Sequence, residues 1–372
     1  MTAKKRKLKA IDLFAGVGGI RLGFDYAFNE SAGDGEGLET VFVCEKNPNA
    51  RKTYVQNFPK PSGSAGWGFD IRKEEVKEAI PSFDICLAGF PCQAFSYAGR
   101  KGGFEDVRER GSLFFDVRDI CLKHRPAVIF CENVRGLFTF GGKKGKDGYR
   151  PVYREIRNNL IFLGYQVYET ILNSLDFGVP QHRERLYIVA IRNDVIEKAK
   201  GKGVAFTFPT NNSKATVSKQ WEAHTLQDIR DEGPIAPRYY ISAQYLATLV
   251  RHKEAHAAKG HGFGYKIREW NETSGAILCS NMGRERNMVR DENHEVPLIP
   301  PSFVKGPLND GHIRRLTPWE FMKLQGFPRD FKTEGIPVSH LYEQFGNSVT
   351  VPVIESIARE IRRVLQAAAL CD

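Results

Sequence analysis

The chain has 372 residues, and its 54 Lys and Arg against 44 Asp and Glu leave a net charge of +10. With 41% hydrophobic residues and 25 Phe it can bury a sizeable core, which excludes disorder of the whole chain; at about 150 residues per domain the length predicts two domains of unequal size. No apolar run approaches the roughly 18 residues of a membrane span, and Lys4, Lys5, Arg6, Lys7 and Lys9 occupy the place of a signal's apolar segment, so a cytoplasmic protein with a polyanionic partner is expected.

In chain order, residues 8–13, 41–45, 83–89, 127–131, 165–172 and 186–191 are rich in Val, Ile, Leu and Phe and bounded by turn formers, the signature of strands. Residues 20–28, 48–58, 112–124 and 153–163 place apolar side chains at helical spacing between them. This alternation predicts a mostly parallel sheet with helices on both faces and ligands at the carboxyl ends of its strands. Gly-rich stretches at 31–37, 62–68 and 141–148 read as surface loops without chemistry. After a polar linker at 198–202 the period is lost until about residue 315. Within that stretch eight cations between Arg251 and Arg290 face four Glu, with His261-Gly262-Phe263-Gly264-Tyr265 interleaved. Helix signals return at 317–324, where Thr317 suits the cap and Pro318 the first position, and end with a helix over 353–369.

Four strings carry chemistry. Ile11-Asp12-Leu13-Phe14-Ala15-Gly16-Val17-Gly18-Gly19 is a strand running into glycines that open a helix, a turn that lets backbone approach a ligand. Its spacing is not Gly-x-Gly-x-x-Gly. Glu45 ends the second strand, where a carboxylate takes a ribose diol, and Asp70 could accept from an adenine amine. Gly89-Phe90-Pro91-Cys92-Gln93 places a cysteine in a constrained loop after a strand, where its thiol can be exposed and activated. Phe130-Cys131-Glu132-Asn133-Val134 brings a carboxyl group to the same sheet edge. Gln181-His182-Arg183-Glu184-Arg185 alternates two arginines, which would share one face and bind phosphate or orient Glu132. The other six cysteines have no such company, and an odd total of seven without a Cys-x-x-Cys pair argues against disulfides and metal.

Together these strings resemble the DNA cytosine-5 methyltransferase family of bacterial type. The likeness runs in order through residues 12–24, Pro91-Cys92-Gln93, Glu132-Asn133-Val134, Gln181-x-Arg183-x-Arg185, Arg315-Leu316-Thr317-Pro318-x-Glu320, Leu324-Gln325-Gly326-Phe327-Pro328 and Gly346-Asn347-Ser348-Val349. It implies an α/β fold: a Rossmann-like S-adenosylmethionine-dependent methyltransferase sheet (1–193 plus 336–372, catalytic) with a second, smaller target-recognition domain (194–335). It further implies a monomer, in the cytoplasm and associated with the nucleoid, acting on double-stranded DNA at a short palindromic site, with S-adenosyl-L-methionine as cofactor, S-adenosyl-L-homocysteine as product and no metal.

Cytosine C5 is a weak nucleophile, so the ring's aromaticity must first be broken. By the resemblance, Cys92 thiolate adds to C6 while Glu132 hydrogen-bonds or protonates N3, C5 then takes the methyl group, and loss of the C5 proton expels Cys92. Arg183 and Arg185 steady the base, its phosphate and the acid. A base inside a duplex cannot reach Cys92 and must be flipped out, with the recognition domain or the loop at 93–101 filling its place. Phe14, Gly16 and Gly19 are implied along the methionine part of the cofactor, Glu45 at the ribose, Asp70 and Ile71 at adenine, and Gly89, Pro91, Leu113, Asn347 and Val349 around them.

The chain departs from the family at Lys46, where a bulky apolar or aromatic residue commonly packs on adenine, and at Arg108-Glu109-Arg110, a slightly lengthened link before Leu113. RNA-directed relatives, which act on tRNA, usually carry Cys-Phe-Thr in the recognition region; no cysteine here is followed by Phe-Thr, so DNA is preferred. A non-catalytic DNA-binding module would have no use for Cys92 and Glu132 beside an intact cofactor loop.

Overall fold

A computed structural model describes residues 7–30, 33, 36–61, 66–91, 112–139, 144–145, 147–210, 223–262, 264–279, 284–292 and 306–371. In chain order the elements are β1 (Leu8–Leu13), α1 (Gly19–Asn29), β2 (Leu38–Cys44), α2 (Pro48–Asn57), β3 (Trp67–Gly68), α3 (Glu74–Glu78), β4 (Ile85–Ala88), α4 (Ser112–His124), β5 (Val128–Val134), α5 (Arg135–Thr139), α6 (Pro151–Phe162), β6 (Tyr165–Asn173), β7 (Gln181–His182), β8 (Glu184–Arg192) and α7 (Asn193–Lys200). There follow α8 (Leu226–Ile229), α9 (Ala243–Ala257), β9 (Ile267–Arg268), β10 (Ser274–Gly275), β11 (Met288–Arg290), β12 (Ile313–Arg315), α10 (Pro318–Leu324), α11 (Val338–Asn347) and α12 (Val351–Ala367).

The chain forms two compact units, one of Met1–Asn173, Glu184–Val217 and Val351–Asp372, the other of Ser174–Arg183 and Ser218–Thr350. The first is built on a seven-stranded sheet in the order β3-β2-β1-β4-β5-β8-β6. β1 to β5 pair in parallel, while β8 runs antiparallel to both β5 and β6. Ile85 to Ala88 are all buried, as expected of a central strand covered on both faces. Because the chain moves from β1 outward to β2 and β3, then returns to β4 on the other side, a crevice opens at the carboxyl ends of β1 and β4. The expected mostly parallel sheet is therefore present, with one antiparallel strand inserted.

Local sequence accounts for how the helices start. Asn47 accepts from the amides of Asn49 and Ala50 at 2.9 and 3.2 Å, and Pro48 fills the first position of α2. α1 and α12 pack closely: a Cβ added at Gly23 would sit 2.6 Å from Ile354 Cβ and 2.9 Å from the Glu355 amide nitrogen. The stretch at 62–68, expected as a loop, ends in the edge strand β3, and Gly68 is pressed so closely on Val76 and Phe42 that a Cβ would meet them at 2.6 and 2.9 Å.

The second unit holds the three-stranded sheet β12-β11-β9 and the pair β10-β7. Thr317 and Glu320 form a capping box on α10. Arg314, fully buried, pairs with Asp291 at 2.6 Å and Glu320 at 2.8 Å. Phe321 meets Tyr342 edge-on at 5.0 Å, and Phe327 meets Phe345 at 5.5 Å, which joins α10 to α11.

The units divide elsewhere than the expected boundaries at 193/194 and 335/336. Arg363 donates to Ala205 O at 2.8 Å and Phe206 packs on Tyr168 at 4.9 Å, so the segment after α7 stays with the large sheet. Residues 336–350 stay with α10 through those aromatic contacts, and Gln181 and His182 register with Ser274 and Gly275.

Candidate active site

The turn after β1 is built from left-handed residues: Phe14 at φ 57°, Gly16 at 55° and Gly18 at 89°. Phe14 is the informative one, because a bulky residue held there costs on the order of 1 kcal/mol or more and such strain concentrates at ligand sites. Gly18 must be glycine, since a Cβ would fall 2.2 Å from the Phe58 ring, whereas the space beside Gly16 is open to 4 Å. The Gly16 amide donates to Glu45 Oε2 at 2.8 Å and the Asn47 amide to Glu45 Oε1 at 2.6 Å. A carboxylate is thus fixed over an open glycine turn at a strand switch point, which fits the donor and acceptor needs of a nucleoside-bearing cofactor.

Beneath the turn lies a buried polar group. Tyr54 donates to Asp12 Oδ2 at 3.1 Å, Arg21 donates to Tyr54 Oη at 3.1 Å and pairs with Asp25 at 3.2 Å, and its guanidinium lies 4.6 Å from the centre of the Phe58 ring. Burial raises the Asp12 carboxyl to about 7 against the pull of Arg21.

At the ends of β2 and β3, Arg72 grips Asp70 with bonds of 2.9 and 2.6 Å, and holds its carboxyl well below the usual carboxylate range. Lys46 is exposed, its Nζ 3.6 Å from Asp70 Oδ2. Ile71 is buried, and Phe14 and Leu113 pack on the same apolar cluster. Gly89 approaches Ile20 closely and Pro91 is exposed. Cys92 lies outside the described residues, as do the loop at 93–101 and Arg108-Glu109-Arg110.

What leads into Cys92 is nonetheless anchored. Asn133, 3% exposed, donates to Phe90 O at 3.0 Å and accepts from the Val134 amide at 2.9 Å, tying the end of β4 to the end of β5. The neighbouring Glu132 meets Arg185 Nε at 3.2 Å, with both side chains largely covered. The register explains the pair: Glu132 opposes Tyr187 and Val134 opposes Arg185, so Glu132 and Arg185 are diagonal neighbours across an antiparallel ladder. Burial pushes the Cys44 thiol up to about 12 and Cys131 far above its ordinary value, which makes both inert packing residues.

The two arginines expected on one face diverge. Arg183 falls at the break between β7 and β8, is 2% exposed, and donates to the carbonyls of Ile277, Gly346 and Ser348 at 2.8, 3.1 and 2.6 Å. Arg185 lies inside β8 and meets Glu132. In the second unit Asn347 is exposed at the end of α11, and Val349 is buried. Sequence reasoning left Asn133, Gln181 and Gln325 without roles. A polar side chain inside an otherwise apolar strand end, as at Asn133, was the available signal.

Among the described residues no His, Cys, Asp and Glu group could hold a metal, and no helix is long and apolar enough to cross a membrane.

The family model for C-5 cytosine-specific DNA methylase matches residues 8–363. The chain is 42% identical to the Type II methyltransferase M.HpaII of Haemophilus parainfluenzae over 96% of its length and 90% of the relative's, and 37% identical to M.NlaX of Neisseria lactamica over 96% and 97%. Its fold is that of the S. pombe Dnmt2 methyltransferase crystal structure, with a TM-score of 0.67, 16% identity and coverage of 97% and 99%. The sheet, its glycine turn and the fixed carboxylate are those of a Rossmann-like fold, and the family match makes it a methyltransferase. The chain belongs to the C-5 cytosine-specific DNA methylase family, and its enzyme class is DNA cytosine-5 methyltransferase.

Proposed function

We propose that the chain methylates C5 of a cytosine flipped out of double-stranded DNA at a short palindromic site, acting as a monomer on the nucleoid. The observation that carries the site assignment is the Asn133 bond to Phe90 O, which fixes the backbone just before Pro91-Cys92 beside the Glu132–Arg185 pair. Cys92 thiolate adds to C6 as Glu132 supplies a hydrogen bond or proton at N3, and the C5–C6 electrons become available at C5. The Arg185 ion pair, which restricts the Glu132 carboxyl, supports that role. After transfer, a base removes the C5 proton, and those electrons expel Cys92 as thiolate. S-adenosylmethionine, when bound, supplies a methyl group made electrophilic by its sulfonium.

Glu45 is assigned to the ribose, since both its oxygens are already oriented by Gly16 and Asn47. Asp70 and Ile71 are assigned to adenine; the ion pair with Arg72 keeps Asp70 ionised and so an acceptor. Phe14, Gly16 and Gly19 are assigned to the methionine part, and Gly89, Pro91, Leu113, Asn347 and Val349 are assigned to the cofactor as well.

A duplex carrying 5-fluorocytosine tests the assignment, because fluorine cannot leave as a cation and the adduct cannot resolve. Incubation with S-adenosylmethionine should give a complex stable to denaturation whose peptide map ends at Cys92. Turnover on the normal duplex with no adduct on the fluorinated one would contradict attack at C6.

A further inference from the structure

Arg183 was expected at the base or its phosphate, yet its surroundings are those of a bracket. α11 ends at Asn347, where carbonyls lose their helical partners. Gly346 O and Ser348 O both accept from Arg183 Nη2, and Ile277 O accepts from Nη1. Gln325 Nε2 adds bonds to Phe345 O at 2.8 Å and to Ser348 O at 3.0 Å. Gln181 closes the other side, donating to Leu324 O at 2.6 Å and accepting from the Ile277 amide at 2.9 Å. Gly346 cannot carry a side chain, for a Cβ would lie 2.5 Å from the Cys279 amide nitrogen. Every one of these groups belongs to the second unit.

We propose that Arg183 is a positioning residue, a buried fork that clamps the backbone turn Gly346-Asn347-Ser348 and thereby sets Asn347 and Val349, and that it is not a ligand of base or phosphate. The chemistry favours this. A guanidinium offers five donors in fixed directions, which suits several carbonyls at once, and a residue 2% exposed is poorly placed to release counterions from DNA. Burial of the charge is offset by the carbonyl dipoles it faces, with Gln325 sharing the load on Ser348 O. Nothing in the clamp depends on which nucleic acid is bound. The consequence for the cofactor rests on the proposed assignment of Asn347 and Val349 to it.

The test uses the full chain with Arg183→Lys, which keeps the charge and loses the fork. Three quantities are read: S-adenosylhomocysteine affinity by calorimetry, amide exchange at residues 345–350, and the salt dependence of duplex binding. The clamp predicts cofactor affinity weaker by roughly tenfold or more, a KM for S-adenosylmethionine raised far more than kcat falls, and faster exchange confined to 345–350 while the β1 and β5 amides stay protected. It also predicts an unchanged salt slope with Arg183→Ala, the variant that removes the charge. If Arg183 instead held a phosphate, Arg183→Ala would lower that slope by about one counterion with exchange at 345–350 unaltered, and the proposal would fall. Should Arg183→Lys not fold, Gln325→Met removes the second donor on Ser348 O in a similar volume and must give the same local exchange pattern. A wild-type chain that failed to bind S-adenosylhomocysteine would contradict the cofactor assignment, while the exchange experiment would still decide the clamp.

Discussion

At Glu132 a single carboxyl group is placed by three independent constraints: the β5–β8 register, the Arg185 ion pair, and the anchoring of the next residue, Asn133, to Phe90 O. A general acid contributes about 10²–10⁴-fold to rate, so Glu132→Gln should lower kcat by that order while duplex affinity changes severalfold at most. Full activity in single-turnover methyl transfer would move the proton donor elsewhere. Asp12 makes a different prediction, about stability. Its folded carboxyl sits at about 7 against an ordinary 3.8, so the folded chain retains a proton that the unfolded chain has already lost. Stability from this group is full below the ordinary value, declines as pH rises between them and is gone above about 7. Asp12→Asn lacks that decline and still accepts from Tyr54. Its Tm relative to wild type should therefore rise by a few degrees between pH 5 and pH 8; a constant difference would refute the assignment. At this scale the sequence singles out the residues proposed to carry chemistry, because Cys92, Glu132 and Glu45 are unusual types at strand ends. It does not announce that Arg183 and Arg185 part company, since that depends on Gly346 and Ser348, more than 160 positions away.

Among the elements, α1 packs closely on α12, and the tolerance of that contact is set by Gly23. Gly23→Val would drive a branched side chain into Ile354 and the Glu355 backbone, and overpacking of this kind costs about 1–3 kcal/mol. Urea denaturation should show a midpoint lowered accordingly with an unchanged slope; an unchanged midpoint would mean that α12 shifts freely. The strong periodicities of α1, α4, α6 and α12 were legible because each buries an apolar face. α9 was not legible: no residue of it is buried, and two of its apolar side chains, Leu246 and Leu249, pack only partly on Ile241, Met288 and Ile313. β3 has two residues and is defined by pairing with β2, which no local pattern encodes. Thr317 and Pro318, in contrast, marked the start of α10 to the residue, because capping chemistry is local.

For the molecule as a whole, the interrupted order of the two units explains why domain boundaries were hard to read. Residues 174–183 leave the large sheet between β6 and β8 and return, and residues 336–350 precede α12 without joining its unit. Those segments contain the buried side chains Gln181 and Arg183, whose partners at Ile277, Leu324, Gly346 and Ser348 lie far away in sequence. The charge of +10 accords with a polyanionic substrate, and family membership makes that substrate DNA. The claim on which the rest depends is that this chain modifies C5 of cytosine in duplex DNA at one defined site. Bisulfite sequencing of DNA from cells expressing the chain tests it directly. The account predicts cytosines resistant to conversion at every copy of one short sequence, on both strands, and none in cells expressing Cys92→Ala. Full conversion of the DNA with resistant cytosines confined to tRNA, or resistance that persists in Cys92→Ala, would contradict it.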